Sequence, residues 1–147
     1  MKTFFSLLFA ALFLTTLSCT SQEDSKFEEP LSILVFSKTN GYRHASISSG
    51  LKMMYDLSRE QNWVITTTED PSLFNDNFLK NFDMAVFLNP TGDAIDDAGQ
   101  MAFEKFMKSG KGFVGIHAAA DHEYEWPFYG NLVGAYFRTH PPAQEGT

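Results

Sequence analysis

Two histidines stand where turn chemistry does not call for imidazole. His117 falls within the segment Gly110-Lys-Gly-Phe-Val-Gly-Ile-His-Ala-Ala-Ala-Asp121. There Phe113, Val114 and Ile116 read as a buried strand, and apolar character then gives way to small residues and to Asp121. His44 closes the triplet Tyr42-Arg43-His44, shortly after an earlier apolar run. Imidazole exchanges protons near neutral pH and also binds divalent metals, so acid/base and metal-assisted chemistry are both open to this pair. In the first, Asp121 fixes the tautomer of His117, which makes His117, His44 and Asp121 the catalytic candidates. Tyr42, Tyr124, Trp126 and Tyr129 offer flat faces and hydroxyls to a ring-shaped substrate, although aromatic side chains fill cores wherever they occur. The candidate binding residues are Tyr42, Arg43, Asp93, Tyr124 and Trp126.

The elements that must position these residues alternate along the chain. Leu31 to Ser37 is apolar and reads as a first strand, with turn chemistry in Lys38-Thr39-Asn40-Gly41 directly after it. From Ser46, Ile47, Leu51, Met54 and Tyr55 recur at helical spacing to about Gln61. Trp63 to Thr68 is β-branched and strand-like, Leu73 to Phe82 is helical or looped, and Met84 to Leu88 is a third strand followed by Asn89-Pro90-Thr91-Gly92-Asp93. Asp96 and Asp97 open a helix whose apolar face is Ile95, Ala102, Phe103, Phe106 and Met107, with Gly110 as its C-cap. After the fourth strand, Tyr124 to Phe137 is aromatic-rich and partly helical.

This βαβαβαβ rhythm predicts an α/β fold, a parallel sheet covered by helices on both faces. Parallel strands would put Tyr42-Arg43-His44, Glu69-Asp70, Asn89 to Asp93 and His117 to Asp121 on one edge, where such sheets bind ligands. The first and fourth strands are expected to be neighbours at the switch point, with His44 and His117 at the floor of a polar cleft.

The N-terminus is read apart from the fold. Lys2 precedes an apolar run from Phe4 to Leu17, roughly 21 Å as a helix and short of the roughly 30 Å hydrocarbon core. Residues 1–18 therefore read as a bacterial export signal. Leu17-Ser18-Cys19 resembles a lipobox, with Cys19 as the lipidated residue, although Thr16 stands where most lipoboxes carry Leu. Residues 19–30 form an acidic tether, similar to the sorting signal of surface-displayed lipoproteins, and the folded domain is expected over 31–147. The expected location is outside the cytoplasm, lipid-anchored, in the periplasm or at the cell surface. The formal charge is −7 and becomes one unit more negative when the signal is removed. Lys and Arg form no basic stripe, so nucleic acid is not a partner. With 44% hydrophobic residues and 15 Phe, the chain can bury a substantial core.

The runs ILVFSKTNGYRHASI, TTTEDPSLF, FDMAVFLNPTGD and GKGFVGIHAAADHEYEWPFYGNLVGAYFRTHP together resemble the trehalose-utilisation (ThuA-like) family. Its fold is flavodoxin-like, a three-layer sandwich similar to class I glutamine amidotransferases. The resemblance implies a role in catabolism of trehalose or of related sugars oxidised to keto forms, as a hydrolase, lyase or isomerase. It also implies further sugar-active or redox domains as partners, and more strands after residue 147. Carried over by residue, it implicates His44, His117 at the place where an amidotransferase holds its nucleophile, and His140 in the His-Pro motif. His122 does not match the family pattern and is not counted as a site residue. Glutamine hydrolysis is excluded, because that position is imidazole and Cys19 is the sole cysteine.

Two mechanisms then fit. His44, His117 and His140 hold a divalent metal, with Asp121 or Asp70 beside it, or His117 moves a proton α to a keto-sugar carbonyl. No HExxH or similar helical pair decides between them. The reading from another class is a noncatalytic sugar-binding or scaffold module.

Overall fold

A computed structural model describes residues 29–141. The export signal, Cys19 and nearly all of the tether lie outside the described residues. Four strands, β1 (Leu31–Phe36), β2 (Trp63–Thr68), β3 (Met84–Leu88) and β4 (Gly112–Ile116), form one parallel sheet in the order β2-β1-β3-β4. Helix α1 (Ser46–Gln61) follows β1, the short α2 (Asp76–Leu79) follows β2, α3 (Asp97–Lys108) joins β3 to β4, and α4 (Pro127–Val133) follows β4. Single 3₁₀ turns occupy Pro71–Leu73 and His117–Ala120.

Side chains alternate across a strand, and here both faces are covered. Leu34, Phe36, Ala85 and Phe87 enter one core with Phe74, Phe103, Phe106, Trp126 and Tyr129. Ile33, Val35, Val86 and Leu88 enter the other with Met54 of α1. Gly50 lets α1 lie close to β3, since a Cβ there would sit 2.7 Å from a Leu88 methyl. The Asp96 carboxylate accepts the Gly99 amide at 2.8 Å and caps α3, worth about 1 kcal/mol. Gly110, at φ 88°, lies one residue beyond the actual C-cap, Ser109.

Two expectations need correction. Where a buried strand was expected, β4 pairs with β3 alone among the described residues, and Val114 is 41% exposed there. Nor is β4 a neighbour of β1, because β3 lies between them. Sheet adjacency therefore cannot bring His44 to His117; the loops must do it.

Candidate functional site

The loops after β1, β3 and β4 are stitched together across the carboxyl edge of the sheet. Asn40 N–H donates to the Thr91 carbonyl at 2.8 Å, and the Thr91 hydroxyl to the Tyr42 carbonyl at 2.9 Å. The Asn40 side chain donates to the Asp93 carbonyl at 2.5 Å. On the other side Gly92 N–H donates to the Asp121 carbonyl at 2.8 Å. Gly92 is required here: its φ is 69°, and a Cβ would lie 3.1 Å from the Gly41 nitrogen.

This stitching carries the β1 loop over β3 toward β4. The rings of His44 and His117 meet edge to face, with centroids 4.6 Å apart at 73°. Tyr42 lies edge-on to the far side of His44 at 4.9 Å. His117 is exposed and holds a left-handed backbone, φ 49°, at the strand-to-turn junction. A non-glycine residue in that conformation costs of order 1–3 kcal/mol, a strain that clusters at functional sites. The turn aims the imidazole outward where a purely structural residue would gain nothing.

His122 and Glu123, which the sequence reading passed over, are both fully buried beneath this rim. His122 Nδ1 donates to the Gly92 carbonyl at 2.5 Å, which leaves Nε2 unprotonated, without a hydrogen bond, and 3.6 Å from Glu123 Oε1. Glu123 accepts the amides of Ala94 and Ile95 and the side chain of Gln100, each at 2.8 Å. The pair thus ties the β4 loop to the start of α3. Its one sequence signal is the polar triplet Asp121-His122-Glu123 placed between the small run Ala118 to Ala120 and the aromatic cluster that begins at Tyr124.

Burial holds the His122 imidazole below its ordinary value of 6.5, against the opposing pull of Glu123, the Gly92 carbonyl, Asp93 and Asp121. Phe36, Phe87 and Tyr129 form the apolar walls around it. An unfolded chain takes up this proton before the folded one does. Stability contributed here is full above about pH 6.5 and is lost as pH falls from there through the depressed folded value. Unfolding free energy measured from pH 5 to 8 should fall on acidification below about pH 6.5, by at most ~1.4 kcal/mol per pH unit from this group. His122→Asn should flatten that slope; an identical pH profile in the two proteins would show that His122 does not titrate this way.

Several expected site residues are engaged elsewhere. The Asp121 carboxylate makes no hydrogen bond to His117; it accepts the Tyr124 hydroxyl at 2.5 Å, so it does not orient the imidazole. Partial burial, then Asp121, pushes the Tyr124 phenol up to about 12. Tyr124 stacks on Tyr136, and its amide takes Asp93 Oδ1 at 2.9 Å, so Asp93 and Tyr124 build the rim. Arg43 forms a two-pronged ion pair with Glu69 at 2.6 and 3.0 Å, joining the β1 and β2 loops. Both partners are about half exposed, and such pairs are worth ~0–1 kcal/mol.

Trp126 is a core residue and not a binding face. It packs on Phe103 and Tyr129, and its indole N–H donates to Glu104 at 3.0 Å. The three-histidine metal centre is not assembled either. His140 lies against Phe137 with Nδ1 2.7 Å from the Pro141 carbonyl, and among the described residues no three His, Cys, Asp or Glu side chains converge on a metal position. Among the described residues the loops bring His44 and His117 together and leave His140 apart. An open groove of about 530 Å³ between α2 and α3, floored by Phe74 and Met101, carries no imidazole. Among the described residues no helix is long and apolar enough to cross a membrane.

A family model described as trehalose utilisation, ThuA, matches residues 32–147. Among solved structures, the crystal structure of a ThuA-like protein from Bacteroides uniformis is similar, with a TM-score of 0.61 and 24% identity, covering 73% of this chain and 45% of that one. The chain thus spans less than half the length of that relative, and at this identity the likeness is one of fold. No curated protein matches the chain.

Proposed function

The chain belongs to the ThuA family of trehalose utilisation, and from that premise we propose that it acts on a disaccharide or keto-sugar of that catabolism by acid/base chemistry at His44 and His117. The observation that carries this reading is the edge-to-face contact of the two rings at 4.6 Å, made by loops 73 residues apart in sequence. One imidazole takes the proton from the carbon α to the carbonyl, and the C–H electron pair moves into an enediol unit. The other gives a proton to the carbonyl oxygen, and both protons return on reversal. Imidazole is the side-chain type most often used for such proton transfers.

In D₂O the protein should catalyse exchange of deuterium into a 3-keto disaccharide at the carbon beside its carbonyl, read by loss of the proton resonance. Exchange no faster than in buffer would sink the proton-transfer reading. Binding of the same sugar without exchange would favour the noncatalytic module.

A further inference from the structure

Helix α1 begins beside the imidazole pair without a side-chain cap; of its first-turn amides, that of Ile47 donates to the His44 carbonyl at 3.2 Å, and those of Ser46 and Ser48 remain to face outward. Ala45 occupies the N-cap position in a helical conformation, no side chain accepts a first-turn N–H, and the first turn carries no acidic residue. Ser46, Ser48 and Ser49 are all exposed around this end. Independently, the Asn89 carboxamide at the end of β3 lies against the same turn. Asn89 is 3% exposed, its Nδ2 donates to Ser46 Oγ at 2.9 Å, and its Oδ1 has no hydrogen-bond partner. A buried acceptor without a donor is costly, and here it sits under one exposed serine.

The donors and the acceptor together select a ligand chemistry. First-turn amides and the Ser46 hydroxyl proton, left free because Ser46 Oγ accepts from Asn89, offer hydrogen bonds outward. Asn89 Oδ1 needs to receive one. A sulfate could use the helix end but has no proton for Asn89. A sugar hydroxyl accepts from the helix and donates to the carboxamide at once. The position is also the crevice between β1 and β3, where α1 and α3 leave toward opposite faces of the sheet, the place at which such sheets take ligands.

We propose that the first turn of α1, with Ser46 and Asn89, is a hydroxyl-binding subsite for a neutral sugar beside His44 and His117. This rests on the acid/base reading for its substrate class but not for its binding.

The test is titration of the ¹⁵N-labelled full chain with trehalose, glucose and inorganic sulfate, followed at the amides of Ser46 and Ser48 and at the Asn89 side-chain NH₂. Trehalose or glucose should shift these resonances saturably, and sulfate should not. Ser46→Ala should weaken sugar binding about three- to tenfold, and Asn89→Ala at least as much. The idea is overturned if sulfate moves these signals as the sugars do, if no sugar does, or if both variants bind sugar as the wild type does. Repeating the titration on His117→Ala separates the two claims: retained shifts where exchange is lost uphold both, and retained shifts in a wild type without exchange uphold the subsite alone.

Discussion

His117→Ala should lower α-proton exchange by about 10²–10⁴-fold, the usual contribution of a positioned acid or base, with little change in fold. The expectation of a stable variant follows from placement. The imidazole is exposed, its one ring contact among the described residues is with His44, and it fills neither core. Backbone strain gives a second handle, since φ at this residue is 49°. His117→Gly relieves that strain and should match or exceed the wild type in stability while remaining as inactive as the alanine variant. Full exchange activity in either variant would remove His117 from the mechanism. A large loss of stability in both would make it a structural residue.

Phe87→Ala should do the reverse and cost about 3–5 kcal/mol of stability, the range for a large aromatic removed from a packed core. Phe87 is fully buried on the central strand β3 and touches the rings of Phe36, Phe74, Phe103, Phe113, Tyr129 and His122, with centroids 5.2 to 5.8 Å away. No smaller set of neighbours can close over its absence, because the rings around it come from α3, α4, two other strands and two loops. The denaturation midpoint should fall with the slope nearly unchanged. Val114→Ala at its exposed position on β4 should cost less than about 1 kcal/mol. Equal losses at the two positions would mean that the core is not organised around β3.

What the sequence made legible was local. The strands and α1 were found within a residue or two, because the continuous apolar run from Ile33 to Phe36 and helical spacing from Ile47 to Met54 report their own burial. Turn residues marked the loop after β3, and Asp96 announced the start of α3. The order of the strands was not legible, since nothing in Phe113 to Ile116 says which strand it pairs with. The loop register was equally hidden. Asp121 reads as a partner for His117 from sequence separation, yet a 3₁₀ turn from His117 to Ala120 directs it to Tyr124. Trp126 and Tyr124 are alike in type and two residues apart, but the first enters the core and the second the rim. His122 and Glu123 sit in a loop, where burial of two polar side chains has no periodic signature.

The central claim is that His44 and His117 work as one unit although their strands are not adjacent. A double-mutant cycle on α-proton exchange tests it most directly, using His44→Ala, His117→Ala and the double variant. Groups that act together are strongly non-additive, whereas independent ones multiply. The account predicts that each single variant loses nearly all of the exchange activity and that the double variant falls no more than about tenfold further. Losses that multiply across the two positions, or a His44→Ala protein that exchanges at the wild-type rate, would contradict it.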